Sequence, residues 1–282
     1  MRFKSFALGA FLLAGAQVAV ADQFYINVGK DFGDNGYAQA AGKTTTGWLD
    51  ELLYLYSSVT TVFDNDNNGL SAGDAVVSTG GFVNGKVSSV STNRVSGFSA
   101  QQNVLDPNSP SKNGYGQWGI TFQFKLLGNL LGGVSQGLPV SYNAGTVSFF
   151  YYDATTTTTA QFIKLFTVDV NSTLNSFGGP SIQGEIASFG SGKVNGVAAG
   201  DVFNFKSGSF ASYANNMTKI LTDIDFNTDP RKTTIVNNKN GTFTLTGKHD
   251  GSISFAVPEP SGLALVGLGL FGLAFAARRR NV

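Results

Sequence analysis

The side chains best suited to chemistry lie in the run DNDNNGLSAGD at residues 64–74. Asp64, Asp66 and Asn68 carry oxygen donors at alternate positions, and Asp74 ends the run. Calcium takes about six to eight oxygen ligands, and alternate donors converge on one ion when a loop wraps around it. These four residues are therefore a candidate calcium site, where the ion would hold a loop in place rather than take part in a reaction.

This run resembles the beginning of an EF-hand calcium loop, which has oxygen donors at positions 1, 3 and 5 and Gly at position 6. Gly69 occupies that sixth position, but Ala75 stands where the closing acidic ligand is expected, and Asp74 comes one residue earlier. No flanking helices are predicted. The alternative is an Asx-rich hairpin loop between a strand ending at Phe63 and another starting near Ala75.

Few residues in the sequence are suited to catalysis. The chain has no Cys, which excludes cysteine nucleophiles, disulfides, iron–sulfur clusters and Cys-based zinc sites. The single histidine, His249, precedes Asp250-Gly251, and this combination predicts an exposed hairpin turn. No G-x-S-x-G motif occurs, and the scattered acidic residues offer no favoured pair for glycoside hydrolysis. We therefore predict that the protein is not an enzyme and that it has no cofactor apart from the candidate calcium.

Two tryptophans and a threonine run bear on sugar chemistry. Trp48 and Trp118 are the obvious platforms for stacking on sugars, but Trp118 is in phase with Ile120 and Phe122, which favours burial in a core. The five threonines at 155–159 predict a hydroxyl-rich loop, with an O-glycosylated patch as the alternative. A secreted carbohydrate-binding module or glycan-active enzyme therefore stays open as a second functional hypothesis.

The elements that would position these residues are mostly strands. Residues 117–126 alternate between apolar and polar side chains, so they predict a strand with one buried and one solvated face. Further strands are predicted from the same kind of pattern at 24–28, 52–63, 146–152, 162–170, 182–188, 202–206, 233–236, 242–246 and 252–257. Many short strands without regular helical spacers predict an all-β fold, an antiparallel sandwich or a barrel-like sheet, in one domain at 22–256.

Two local signals refine this prediction. Apolar residues at helical spacing predict a short helix within 210–221, including Met217 on its buried face. Asn240-Gly241 predicts a type I′ hairpin between two of the strands. At residues 48–53 a helical turn is the alternative to a strand, and the β-rich sequence that follows favours the strand.

The N-terminal residues 1–21 have the three parts of a secretory signal peptide. Arg2 and Lys4 make a positive start, an apolar stretch follows, and Ala19 and Ala21 form an A-x-A cleavage site before Asp22. We therefore expect cleavage at this site and export of the rest of the chain.

The C-terminal residues 257–282 have their own order of features. Pro258, Glu259 and Pro260 precede an uncharged apolar stretch at 261–277, about 26 Å long as a helix, which predicts one transmembrane helix. Arg278, Arg279 and Arg280 follow at once, and such a basic cluster stays on the cytoplasmic side of a membrane.

This tail resembles the PEP-CTERM sorting signal, which consists of a Pro-Glu-Pro motif, a hydrophobic helix and an Arg cluster. The resemblance implies a transient stay in the inner membrane of a Gram-negative bacterium and processing there by an exosortase. It also implies delivery to the cell surface or to the extracellular polysaccharide matrix, as in a biofilm. It implies nothing about the fold of the preceding residues.

The charge of the exported part limits its partners. Without the two ends, 14 Lys and Arg stand against 17 Asp and Glu, a net charge of about −3. Nucleic-acid binders need clustered basic residues, so nucleic acid is excluded as a partner. The sequence as a whole predicts a non-catalytic exported protein of the cell surface or matrix, with matrix polysaccharide as a candidate partner.

Overall fold

A computed structural model of the chain describes residues 21–33, 39–81, 94–99, 118–132, 140–153, 162–176, 179–228 and 233–258. Residues Ala21–Val257 form one compact unit. Its strands are β1 Phe24–Ile26, β2 Glu51–Phe63, β3 Ala75–Gly81, β4 Arg94–Ser99, β5 Trp118–Leu130, β6 Val140–Asp153, β7 Ile163–Ser176, β8 Gly179–Phe189, β9 Lys193–Val194, β10 Val197–Ala198, β11 Phe203–Phe205, β12 Gly208–Ser209, β13 Leu221–Thr228, β14 Thr234–Asn237 and β15 Thr242–Ala256. Helix α1 spans Phe210–Asn215.

Eight of the strands form a closed antiparallel sheet. Hydrogen-bonded neighbours follow in the order β2, β3, β5, β6, β7, β8, β13 and β15, and β15 then pairs with β2 along Thr242 to Ile253. Strand β4 pairs with the first residues of β2, from Glu51 to Leu55. Strand β14 pairs with the first part of β15, from Phe243 to Thr246. The all-β antiparallel prediction is confirmed, and the return of β15 to β2 corresponds to its barrel-like form.

Alternation along the strands fills the inside of this sheet with large apolar side chains. On β5 the predicted inward face is confirmed, because five alternate residues are buried there: Trp118, Ile120, Phe122, Phe124 and Leu126. Phe149 of β6 stacks on Phe166 of β7 with ring centroids 4.9 Å apart. Burial of such rings is the main stabilising contribution to the fold.

A small sheet and α1 close one end of the interior. Strand β1 pairs with β11, and β11 pairs with β12. Their inward rings, Phe24 and Phe203, pack with Phe210 of α1 against Phe255 of β15. Ser209 caps α1, since its side chain accepts a hydrogen bond from the Ser212 backbone N–H.

At the opposite end, the loop between β2 and β3 covers a second, smaller apolar cluster. Leu70 of this loop packs against a buried group formed by Val62, Val76, Leu130, Val140 and Leu245. The loop is fixed by backbone hydrogen bonds from Asp64 N to Gly241 O and from Gly73 N to Leu130 O, both 2.9 Å long. The candidate calcium residues therefore lie on the element that covers this end.

The predicted turn at His249 is wrong. The strands predicted at 242–246 and 252–257 are parts of one strand, β15, which ends at Ala256. His249 lies in its middle, paired with Tyr56 of β2. The sequence suggested a turn because of His249-Asp250-Gly251, but in the structure Gly251, like Gly247, leaves space for other atoms of the sheet. A Cβ on Gly247 would lie 2.6 Å from His249 Nε2, and one on Gly251 would overlap the carbonyl oxygen of Asp225.

Two other local predictions are partly right. The helix in 210–221 forms, but it ends at Asn215, and Met217 is 95% exposed with a φ of 59°. The Asn240-Gly241 hairpin forms with residues 238–241 between the strands, and Lys239 and Gly241 have positive φ angles. The two-residue turn with positive φ at both positions occurs instead at Asn195-Gly196, between β9 and β10.

No helix among the described residues is long and apolar enough to cross a membrane. The predicted transmembrane helix at 261–277 lies outside those residues, as do the signal segment up to residue 20 and the threonine run at 155–159.

Candidate functional site

The structure brings three of the four predicted calcium ligands together. One carboxylate oxygen each from Asp64, Asp66 and Asp74 lies within 4.8 Å of the others. Asp64 is half-buried, Asp66 is exposed and Asp74 is buried. Three carboxylates at this spacing are a donor set that suits a hard cation such as calcium.

Backbone amides hold all three of these carboxylates in place. Asp66 Oδ1 accepts a hydrogen bond from Asn68 N at 3.2 Å. Asp64 Oδ1 and Oδ2 accept hydrogen bonds from Asn68 N at 3.1 Å and Gly69 N at 3.0 Å. Asp74 Oδ2 accepts one from Ser71 N at 2.8 Å. Positive φ angles at Asn67, 58°, and Gly69, 90°, allow the chain to wrap around the carboxylates.

The fourth predicted ligand, Asn68, bonds to a carboxylate of the cluster instead of adding an oxygen to it. Asn68 Nδ2 donates a hydrogen bond to Asp66 Oδ2 at 2.6 Å, so this side chain contacts the cluster through its nitrogen. The same hydrogen bonds are those of an Asx-rich turn, the alternative interpretation of this run. The geometry therefore fits both interpretations, and calcium binding stays a prediction.

A serine and the only histidine meet inside the closed sheet. Ser58 Oγ on β2 and His249 Nε2 on β15 are 2.7 Å apart, and the His249 ring packs 4.7 Å from the ring of Tyr56. His249 is 8% exposed. A serine–histidine hydrogen bond is also the first element of a nucleophile–base pair. Here it is a polar bridge between two neighbouring strands.

Two buried tyrosines of β2 lie beside this pair: Tyr56 packs on His249, and Tyr54 packs on Tyr56 with ring centroids 5.7 Å apart. The Tyr54 hydroxyl donates to the carbonyl oxygen of Asp225. Burial, followed by the charge of Asp225, raises the pKa of Tyr54 well above its usual value, and burial does the same to the pKa of Tyr56. Charged tyrosinate is costly in such an environment, so both side chains stay neutral at physiological pH.

The two tryptophans have different environments. Trp118 is buried at 1% exposure and stacks on Tyr151 with a centroid distance of 6.0 Å, as its position in the alternating pattern predicted. Trp48 is half-buried and meets the half-buried Tyr25 edge to face at 5.1 Å. Sequence reasoning named Trp48 but missed Tyr25, because their two segments meet only in the folded chain, through bridges between Phe24 and Leu49 and between Asn27 and Thr45.

The last strand leads directly into the predicted sorting tail. Strand β15 ends at Ala256, and Val257 N donates a hydrogen bond to Asp22 Oδ2 at 2.8 Å. Ala21 and Pro258 are both exposed. The other predicted processing residues, namely Ala19, Glu259, Pro260, Arg278, Arg279 and Arg280, lie outside the described part of the chain.

Comparison with known proteins identifies this tail. The family model of the PEP-CTERM protein-sorting motif matches residues 256–280. No curated protein matches the chain, and no solved structure does. The resemblance inferred from the sequence is therefore confirmed for the tail, and it marks an exported protein that an exosortase sorts and processes at the membrane.

Proposed function

We propose that this chain is a non-catalytic protein displayed at the bacterial surface or in the extracellular polysaccharide matrix. The observation that carries the proposal is the PEP-CTERM motif at residues 256–280, which begins at the last residue of β15 in a compact β domain. In this arrangement the domain is the exported part, and the tail is the part that the sorting enzyme reads.

The interior of the domain supports a non-catalytic role. Its closed sheet is filled by packed aromatic rings, and the Ser58–His249 pair lies among them with His249 only 8% exposed. A nucleophile–base pair acts on a substrate only where the substrate can reach it. We therefore assign the pair to the stability of the fold.

Mass spectrometry of surface-extracted protein tests the sorting part of the proposal. We expect an N-terminus at Asp22, because the signal peptide is removed after Ala21, and no peptide from Leu263 onward. Replacing Pro258 and Pro260 together by Ala should leave full-length protein in the inner membrane. The neighbouring Ser261→Ala variant, which keeps the motif, serves as the control.

An intact tail on protein recovered from the outer surface would contradict the proposal. So would surface delivery of the Pro258→Ala, Pro260→Ala variant at the level of the control.

A second role, carbohydrate binding, is favoured by one observation, the pairing of Trp48 with Tyr25 at the surface of the domain. Polysaccharide is the material that surrounds a protein of the matrix, so this role is compatible with the first.

A further inference from the structure

Strand β1, with the residue before it, pairs with the segment before β2 at Phe24 and Leu49, and this pairing places their side chains on two opposite faces. Phe24 and Leu49 exchange both backbone hydrogen bonds, at 2.9 and 2.7 Å, and their side chains are buried at 0% and 3% exposure. Since neighbouring residues of extended chains point to opposite faces, the residues on either side of them point outward. These residues are Gln23 and Tyr25 on one segment and Trp48 and Asp50 on the other.

The four outward side chains pair across the two segments. Tyr25 and Trp48 form the edge-to-face contact at 5.1 Å with an interplanar angle of 88°. Gln23 Nε2 donates a hydrogen bond to Asp50 Oδ1 at 3.0 Å. All four residues are half-buried. Residues two apart on an extended chain are separated by about 7 Å, so an aromatic pair lies beside an amide–carboxylate pair at that distance.

The polar groups of the aromatic pair can still bond to a ligand. Within the described part of the chain, neither the Trp48 indole N–H nor the Tyr25 hydroxyl has a hydrogen-bond partner. Aromatic side chains with such a polar group suit ligands that combine an apolar face with a wet edge. A pyranose ring is such a ligand, because its C–H groups form an apolar face and its hydroxyls surround it.

We propose that Gln23, Tyr25, Trp48 and Asp50 form a binding site for a neutral polysaccharide. One sugar ring stacks on the aromatic pair, and the hydroxyls of the same or the next ring bond to Gln23 and Asp50. The Asp50 carboxylate and the net charge of the exported part, about −3, oppose an acidic polysaccharide. The proposal rests on the proposed function, since it names the partner of a protein placed in the polysaccharide matrix.

Tryptophan fluorescence is a selective readout, because the chain has two tryptophans and Trp118 is 1% exposed. The full chain, purified in a detergent without a sugar headgroup, is titrated with hexamers of β-1,4-linked glucose, N-acetylglucosamine and mannose. We expect at least one neutral hexamer to shift the emission in a saturable way, and an alginate hexamer to bind at least about tenfold more weakly.

Variants separate the site from general effects on the fold. Because Trp48 is itself the fluorescent reporter, the variants are measured by calorimetry. Trp48→Ala should abolish binding, and Tyr25→Ala should weaken it about tenfold. Trp48→Phe, which keeps an apolar ring, should retain weakened binding if Trp48→Ala does not fold. Phe63→Ala, at a 37% exposed aromatic residue on the opposite end of β2, is the matched control and should bind like the original chain.

The proposal is overturned if no neutral hexamer binds, or if binding survives Trp48→Ala in a folded protein. Surface localisation is measured separately. A protein that reaches the surface but binds no hexamer disproves only the site, whereas one that binds but stays in the inner membrane disproves only the surface assignment.

Discussion

At the scale of single residues, burial controls the chemistry of the tyrosines. Tyr54, Tyr56 and Tyr142 have raised pKa values, and desolvation by burial is the largest cause in each case. The Tyr142 hydroxyl lies 2.7 Å from Ser78 Oγ, which in turn is 2.7 Å from Thr60 Oγ1. The folded interior favours the neutral form of these hydroxyls, so ionising them destabilises the folded state.

Alkaline titration should show this coupling. Because the folded-state pKa values are raised, the stability from these groups is fully present below the unfolded value of about 10 and is lost as pH rises through the folded values. Absorbance at 295 nm should therefore show a fraction of tyrosines that ionise only on unfolding. Burial raises the pKa of Tyr151 to about 12, so this residue should ionise near that pH while the protein is folded. Uniform titration of every tyrosine near pH 10, in protein that remains folded, would contradict this expectation.

Calcium should raise the thermal stability through the 64–74 loop. At ten times its dissociation constant the ion would add about 1.4 kcal/mol, which corresponds to a few degrees in Tm. Asp64→Asn with Asp66→Asn should remove this shift without unfolding the protein, because Asn keeps the turn. Asp31→Asn, in an exposed Asx turn elsewhere, is the control and should leave the shift unchanged. Equal Tm values in chelator and in calcium would show that the loop is only a turn.

At the scale of elements, β15 depends on two glycines at positions where a side chain would clash. Gly247 leaves room for the His249 ring, and Gly251 leaves room for the Asp225 carbonyl of β13. Both positions are paired with β2, so a side chain there disturbs the strand that closes the sheet.

The two glycines should differ in their tolerance of Ala. Gly247→Ala meets the end of a side chain, so the His249 ring moves away, the Ser58 hydrogen bond is lost and stability falls by about 1–3 kcal/mol. Gly251→Ala meets backbone and should cost more. Urea denaturation checks both values. In addition, Gly247→Ala should cost little in a His249→Ala background, whereas an equal cost in both backgrounds would contradict the contact.

At the scale of the whole described domain, stability comes from one aromatic interior that joins the closed sheet to the small sheet and α1. Phe210 is fully buried and contacts Phe24, Phe205 and Phe255. Its loss would leave a cavity at the place where three elements meet.

Phe210→Ala should lower the free energy of unfolding by about 3–5 kcal/mol, since the cavity cannot collapse among rigid rings. Met217→Ala, seven residues further along and 95% exposed, should change it by less than about 0.5 kcal/mol. Guanidinium denaturation of both variants measures the difference. A cost at Phe210 similar to that at Met217 would show that α1 does not hold the core together.

The sequence by itself determined the sorting signal, the all-β class and the inward face of β5. Each of these depends on residue order or on periodicity within one short segment. The sorting signal in particular is a linear motif, so it can be identified from the order of its residues alone. Only the tertiary structure decided that β15 runs unbroken through Gly247, His249 and Gly251, because the His249 ring and the Asp225 carbonyl of β13 take up the space beside these two glycines. It also decided that Asp64, Asp66 and Asp74 meet, and that Tyr25 joins Trp48. The carboxylates meet because of the loop's backbone geometry, and the aromatic pair forms because two distant segments pair. Both kinds of contact form only when the chain folds.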